Sequence, residues 1–208
     1  MDSIFEGNLH EKINRIVEAE QAGELQVTEV IQPDTVYYKQ QPESFGGNGV
    51  YFNPDSNNRF SLSDNSKSPM YMAESPHTAC HESYQDEKFI DQSDFTTNCM
   101  AEIRVQRPLR VFDERLLAPH LGVAVGDLMG PKAVYSDTQR LAKELSQHAD
   151  GLTYLSRHTG CPCVVLWSDD VAGAGMVSTD SVTPLSEYTH NGKTGKEILK
   201  SQLGILVV

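Results

Sequence analysis

Apolar positions near the start of the chain recur at helical intervals, at Phe5, Leu9, Ile13, Ile16 and Val17, and the run ends at Gly23. Ser3 followed by Glu6 has capping-box spacing, so the pattern predicts an N-terminal helix of about five turns starting there. Residues 35–39, Thr-Val-Tyr-Tyr-Lys, carry the β-branched and aromatic types of a strand. The following stretch, 41–64, is rich in Gly, Asn, Ser and Pro and predicts a long irregular segment: either a surface loop or the wall of a binding site. Residues 70–73 read as a short strand that feeds directly into a helix, because Ser75 supplies an N-cap and Pro76 suits the first helical position.

Residues 101–105 and 109–112 predict two strands split by Pro108, and 136–149 has helical spacing at Leu141, Leu145 and Ala149, with Gly151 as its stop. Two neighbouring strands are predicted at 152–155 and 163–167, joined by the polar turn 156–160. Beyond a small, polar run at 169–181, residues 185–188 read as strand-like, Asn191-Gly192 as a turn and 204–208 as an apolar end.

The chain has 208 residues, enough for one domain with a real core, and its 22% charged residues and mean hydropathy of −0.42 predict a folded, soluble protein. A formal net charge of −12 argues against nucleic acid or an anionic membrane as the main partner, since both reward clustered Lys and Arg; a basic partner protein suits better. No apolar run approaches the roughly 20 residues needed to span a bilayer, and the first residues lack the pattern of a secretory signal, so the expected location is the cytosol. The four cysteines, at 80, 99, 161 and 163, are too few and irregular for a disulfide framework, and Cys161-Pro162-Cys163 lacks the second pair that zinc requires. No metal is expected.

Candidate chemistry begins with charge. Between Ile16 and Ile103 there are four cations, Lys39, Arg59, Lys67 and Lys88, against fifteen acids. Arg59, in Asn57-Asn58-Arg59-Phe60-Ser61, suits bidentate phosphate binding, or an ion pair with one of those acids. Glu82 lies seven residues after Ser75, in a register that turns it back toward the preceding strand, where a carboxylate stabilises a developing cation; the alternative is a solvated helix face. Ser156 ends a strand beside Arg157, as a presented hydroxyl or a turn former. His77 and His81 are four apart but lack a third metal ligand, and neither a Gly-x-Ser-x-Gly elbow nor a phosphate-binding glycine loop occurs.

The ordered set Asn58-Arg59-Phe60-Ser61, Met70-Tyr71-Met72-Ala73-Glu74-Ser75, Ala79-Cys80-His81-Glu82 and Asp150-Gly151-Leu152-Thr153-Tyr154-Leu155-Ser156-Arg157 resembles the RES family, named for its Arg, Glu and Ser. The resemblance implies an α+β single domain similar to the ADP-ribosyltransferase fold, with central mixed β-sheets and flanking helices. The expected division is an N-terminal helical segment at 1–30 and a catalytic domain at 31–208; the resemblance rests on motifs at 59–157, and the N-terminal helix and the tail beyond about 170 lie outside them. It also implies a toxin of a toxin–antitoxin module that cleaves the nicotinamide–ribose bond of NAD, with water or inorganic phosphate as acceptor and no bound cofactor. An antitoxin covering the active site is the implied partner, and homo-oligomers are allowed.

By motif, Glu82 would face the reacting ribose, Arg59 would hold the dinucleotide, Tyr71 would line the nicotinamide end and Ser156 would hydrogen-bond nearby. The family usually has a further Arg on the first core strand; Tyr37-Tyr38-Lys39 stands there, so Lys39 would supply a point charge rather than a fork. Tyr38 and Arg157 complete the expected substrate contacts. Two other readings remain: an ADP-ribosyltransferase acting on a macromolecule, and a non-catalytic domain that binds a nucleotide or a partner.

Overall fold

A computed structural model describes residues 3–43, 48–85, 87–173 and 175–208. Helix α1 (Leu9–Gln21) is followed by strands β1 (Thr28–Ile31), β2 (Val36–Pro42) and β3 (Ser68–Ala73), then α2 (Pro76–Tyr84), β4 (Phe89–Ile90) and α3 (Gln92–Thr97). Next come β5 (Asn98–Val105), β6 (Leu109–Asp113), α4 (Glu114–Leu121), α5 (Val125–Leu128), α6 (Tyr135–Leu145), β7 (Gly151–Leu155) and β8 (Pro162–Ser168). The chain finishes with β9 (Val177–Pro184), the hairpin β10 (Thr189–His190) and β11 (Lys193–Thr194), α7 (Gly195–Ile198) and β12 (Leu206–Val207).

Eight strands form one mixed sheet in the order β1-β6-β7-β8-β3-β2-β5-β9, in which only β6 and β7 run parallel. Strict alternation sends side chains to two cores. On one face Tyr154, Val165, Trp167, Ala73 and Phe112 pack with the buried faces of α1, α2, α4 and α6. On the other, Met70, Met72, Val164, Leu166, Val111 and Ile103 pack with Val50 and Phe52 of the long loop and with Met176. Helices therefore cover one face and irregular chain the other, which gives the α+β class. No described helix is long and apolar enough to cross a membrane.

The helix at the start begins later than its sequence suggests. Asn8 caps α1, accepting from the Glu11 amide, whereas Ser3 donates to Asp137 Oδ1 at 2.7 Å and ties the N-terminal segment to α6. Ser75 and Pro76 open α2 as expected. Gly151 does not stop α6, which ends at Leu145; it starts β7, where a Cβ would meet the Val165 carbonyl at 2.2 Å. Residues 185–188 form a turn rather than a strand, with the amides of Glu187 and Tyr188 both bonded to the Pro184 carbonyl. The strand of that region is β9, an edge strand whose mixed Ser, Thr and Val side chains are mostly part-exposed. Asn191 and Gly192 make the expected turn, with φ of 51° and 76°, the left-handed pair that a two-residue hairpin needs.

Candidate active site

Strands β2 and β3 share a single registered pair, Tyr38 with Ala73. Beyond it Lys39–Pro42 keep their partners on β5 and Ser68–Met72 keep theirs on β8, so the two strands part like a fork. A cleft of about 390 Å³ opens there, lined by residues 38–42 on one side and 69–73 on the other. Strand edges carry unpaired backbone donors and acceptors, so the fork offers main-chain hydrogen bonds to whatever enters it. The remaining walls come from the long loop (Tyr51, Asn53, Asn58, Arg59), from Glu82 of α2, from Tyr135 of α6 and from Arg157 and His158 after β7. Of the expected loop wall 41–64, residues 44–47 lie outside the described residues.

Arg59 is presented by a segment whose backbone is held on every side. Its own carbonyl accepts from Thr138 Oγ1 at 2.6 Å, and the Asn58 carbonyl accepts from Gln139 Nε2 at 3.0 Å, both from α6. The Phe60 amide donates to the Tyr71 hydroxyl at 2.9 Å, and the Phe60 carbonyl accepts from the Trp167 indole at 2.9 Å. Its guanidinium donates to the Leu128 carbonyl at 3.1 Å and lies 5.7 Å from the centroid of the Tyr135 ring. Neither contact neutralises the charge, so Arg59 keeps donors for an anion, and among the described residues the expected alternative of an ion pair is not formed. Tyr71 is therefore both a cleft wall and a strut: its ring meets Tyr154 edge-on at 6.4 Å while its hydroxyl supports the Arg59 loop.

Glu82 and Ser156, 74 residues apart, meet behind the fork: Ser156 Oγ donates to Glu82 Oε1 at 2.5 Å. The tight turn after β7 fixes this hydroxyl. The amides of His158 and Thr159 both donate to Ser156 Oγ at 3.2 Å, the Ser156 amide donates to the Cys161 carbonyl at 2.9 Å, and Gly160 closes the turn with φ of 68°. Ser156 is fully buried and Glu82 lines the cleft, so the serine orients the carboxyl and the carboxyl faces the ligand space.

Lys39 lines the same fork, and its ammonium donates to the Gly49 carbonyl at 3.1 Å, tying the start of the long loop to β2. Burial pushes its pKa down to about 8. Tyr38, on the opposite face of β2, sets its ring edge-on against His190 of the β10–β11 hairpin at 5.4 Å. Tyr38, Lys39, Arg59, Tyr71, Glu82 and Arg157 thus all line one cleft, with Ser156 bonded to one of them. Tyr51, Tyr135 and His158 belong with them and were not anticipated; His158 had the clearest signal, two residues after Ser156 in a polar turn. Among the described residues no three His, Cys, Asp or Glu side chains converge to hold a metal, and the four cysteines are free.

The model of the family described as "RES domain" matches residues 31–186, well over half of the chain and all of the cleft. No curated protein matches. Among solved structures, the crystal structure of the M. tuberculosis MbcT–MbcA toxin–antitoxin complex contains a chain similar to this one, with a TM-score of 0.60, 14% identity, and coverage of 85% of this chain and 91% of that one. At that identity the likeness concerns the fold. With the family model spanning both halves of the fork and the Glu82–Ser156 pair, the chain belongs to the RES-domain family.

Proposed function

We propose that this protein is the toxin of a toxin–antitoxin pair and that it breaks the nicotinamide–ribose bond of NAD. The observation that carries this reading is the Glu82–Ser156 pair, a carboxyl oriented by a buried hydroxyl at the wall of a cleft that also presents Arg59 and Arg157. Family membership and the toxin–antitoxin complex named for the structural neighbour support it.

The residue types suit the chemistry. As the C1′–N bond breaks, its electron pair neutralises the nicotinamide ring nitrogen and positive charge moves to the ribose. The leaving group needs no proton, so a carboxylate near the ribose, cations on the diphosphate and aromatic walls supply what catalysis requires. Glu82 faces the developing cation in this reading, with Ser156 holding its orientation. Arg59 and Arg157 take the diphosphate, Lys39 adds a point charge, and Tyr38 and Tyr71 flank the nicotinamide. Water then adds at C1′ to give ADP-ribose, nicotinamide and one proton, or phosphate adds to give the 1″-phosphate of ADP-ribose. The reaction draws on NAD as substrate and on no resident cofactor. An antitoxin inhibits most directly by covering the mouth of the same cleft.

Product analysis tests the proposal. Purified protein incubated with NAD, with and without phosphate, is expected to release nicotinamide and either free ADP-ribose or its phosphate ester, as read by mass spectrometry. Label carried from NAD onto a macromolecule instead would replace this reading with ADP-ribosyl transfer. Intact NAD under every condition would leave a binding domain.

A further inference from the structure

Glu114 opens α4, and its side chain has no solvent exposure. Carboxyls are rarely buried so completely without full hydrogen bonding, because an ion removed from water must be compensated. Here Oε2 accepts from the Leu155 amide at 3.2 Å, while Oε1 has no hydrogen-bond partner among the described residues. Burial is the largest influence and pushes the pKa up to about 7; Arg59 from the long loop and Arg115 on α4 pull it down, and Asp113 beside it pushes it up. The group therefore exchanges its charge near neutrality.

Two of its connections lead to the cleft. Leu155 is the last residue of β7 and lines the cleft, and the next residue is Ser156, whose hydroxyl orients Glu82. Arg59, whose charge favours the ionised form of Glu114, lines the same cleft. We infer that Glu114 is a positioning residue: it fixes the Leu155–Ser156 corner from behind through the Leu155 amide, and its charge state sets how much of the Arg59 charge is free for an anionic substrate. Protonated, it leaves the Arg59 charge uncompensated; ionised, it offsets part of that charge. The substrate half of the inference rests on the proposed NAD chemistry, and the corner half does not.

The test uses the whole chain as wild type, Glu114→Gln and Glu114→Leu. Gln keeps an acceptor for the Leu155 amide but cannot ionise; Leu fills the space without an acceptor. In wild type the ¹⁵N–¹H shifts of Leu155 and Ser156 are expected to titrate with a midpoint at about 7, and in Glu114→Gln this component is lost. For NAD cleavage, the KM of wild type should rise about threefold through that midpoint and that of Glu114→Gln should not, while Glu114→Leu lowers kcat about tenfold. Superimposable pH profiles of wild type and Glu114→Gln, together with an unchanged kcat and only a lower Tm in Glu114→Leu, would overturn the inference and leave a structural acid. Should wild type release no nicotinamide, the NAD reading fails by itself and the amide titration still decides the corner: a component lost in Glu114→Gln supports it, and flat Leu155 and Ser156 shifts in wild type overturn it.

Discussion

Ser156 Oγ has every hydrogen-bonding position in use, giving its proton to Glu82 and accepting two backbone amides. Replacing it with Ala frees the Glu82 carboxyl to rotate and takes the acceptor from two amides of the turn that carries Arg157, while the supports of Arg59 and Lys39 stay in place. Ser156→Ala is therefore expected to lower kcat for NAD cleavage by about a hundredfold, with a smaller rise in KM from the loosened Arg157 turn, measured by initial rates. Lys39 predicts a different signature. Its pKa of about 8 means that the cation is lost as pH rises through that value, so KM should climb there and Lys39→Met should show the high KM throughout. Stability moves the opposite way: the unfolded lysine keeps its proton to about pH 10.4, so between the two values the unfolded state holds more protons and folding becomes more favourable as pH rises. Scarcity of cations, helix register and strand-end position made Arg59, Glu82 and Ser156 candidates in the sequence but left an ion pair, a solvated helix face and a turn former equally open, and it was the resemblance to the RES family that singled them out. Glu114 was not legible, because nothing in Asp113-Glu114-Arg115 distinguishes a buried acid from a solvated helix start.

The elements matter through the struts between them. Trp167 of β8 holds the Phe60 carbonyl, so Trp167→Phe keeps an aromatic ring but removes one buried hydrogen bond next to Arg59. The expected cost is about 1–3 kcal/mol in urea unfolding, with a raised KM for NAD as the Arg59 loop loosens. Ser75 caps α2, the helix whose last turn carries Glu82, and Ser75→Ala should cost about 1 kcal/mol by the same assay. The sequence revealed β3, α2, β7 and β8, the elements around Glu82 and Ser156, through short apolar runs bounded by the Ser75-Pro76 cap and the polar turn 156–160, and not through alternation, since β7 and β8 are buried along nearly their whole length. It missed β1 and β9, the edge strands, where one side has no strand to bury against and short or polar sequences suffice. The fork itself was invisible, since it depends on β2 and β3 sharing only the Tyr38–Ala73 pair, a property of pairing between distant segments.

At the scale of the whole molecule the proposed substrate is an anion that would approach a protein of net charge −12 and find a cleft lined by Lys39, Arg59 and Arg157. Salt screens the unfavourable long-range field and the favourable local one alike, but charges inside a cleft are screened less than those on the surface. The RES-domain match spans residues 31–186, and within it the fold brings Arg59, Tyr71, Glu82 and Arg157, spread over residues 59–157, onto one cleft. If the chain is a toxin as proposed, its expression alone is expected to arrest growth, and expression of Glu82→Ala is not. The most direct test measures binding and cleavage on the same samples, by calorimetry and by nicotinamide release, for wild type and Glu82→Gln. The account predicts that both proteins bind NAD with similar Kd and that only wild type cleaves it; nicotinamide release by Glu82→Gln at the wild-type rate would contradict it.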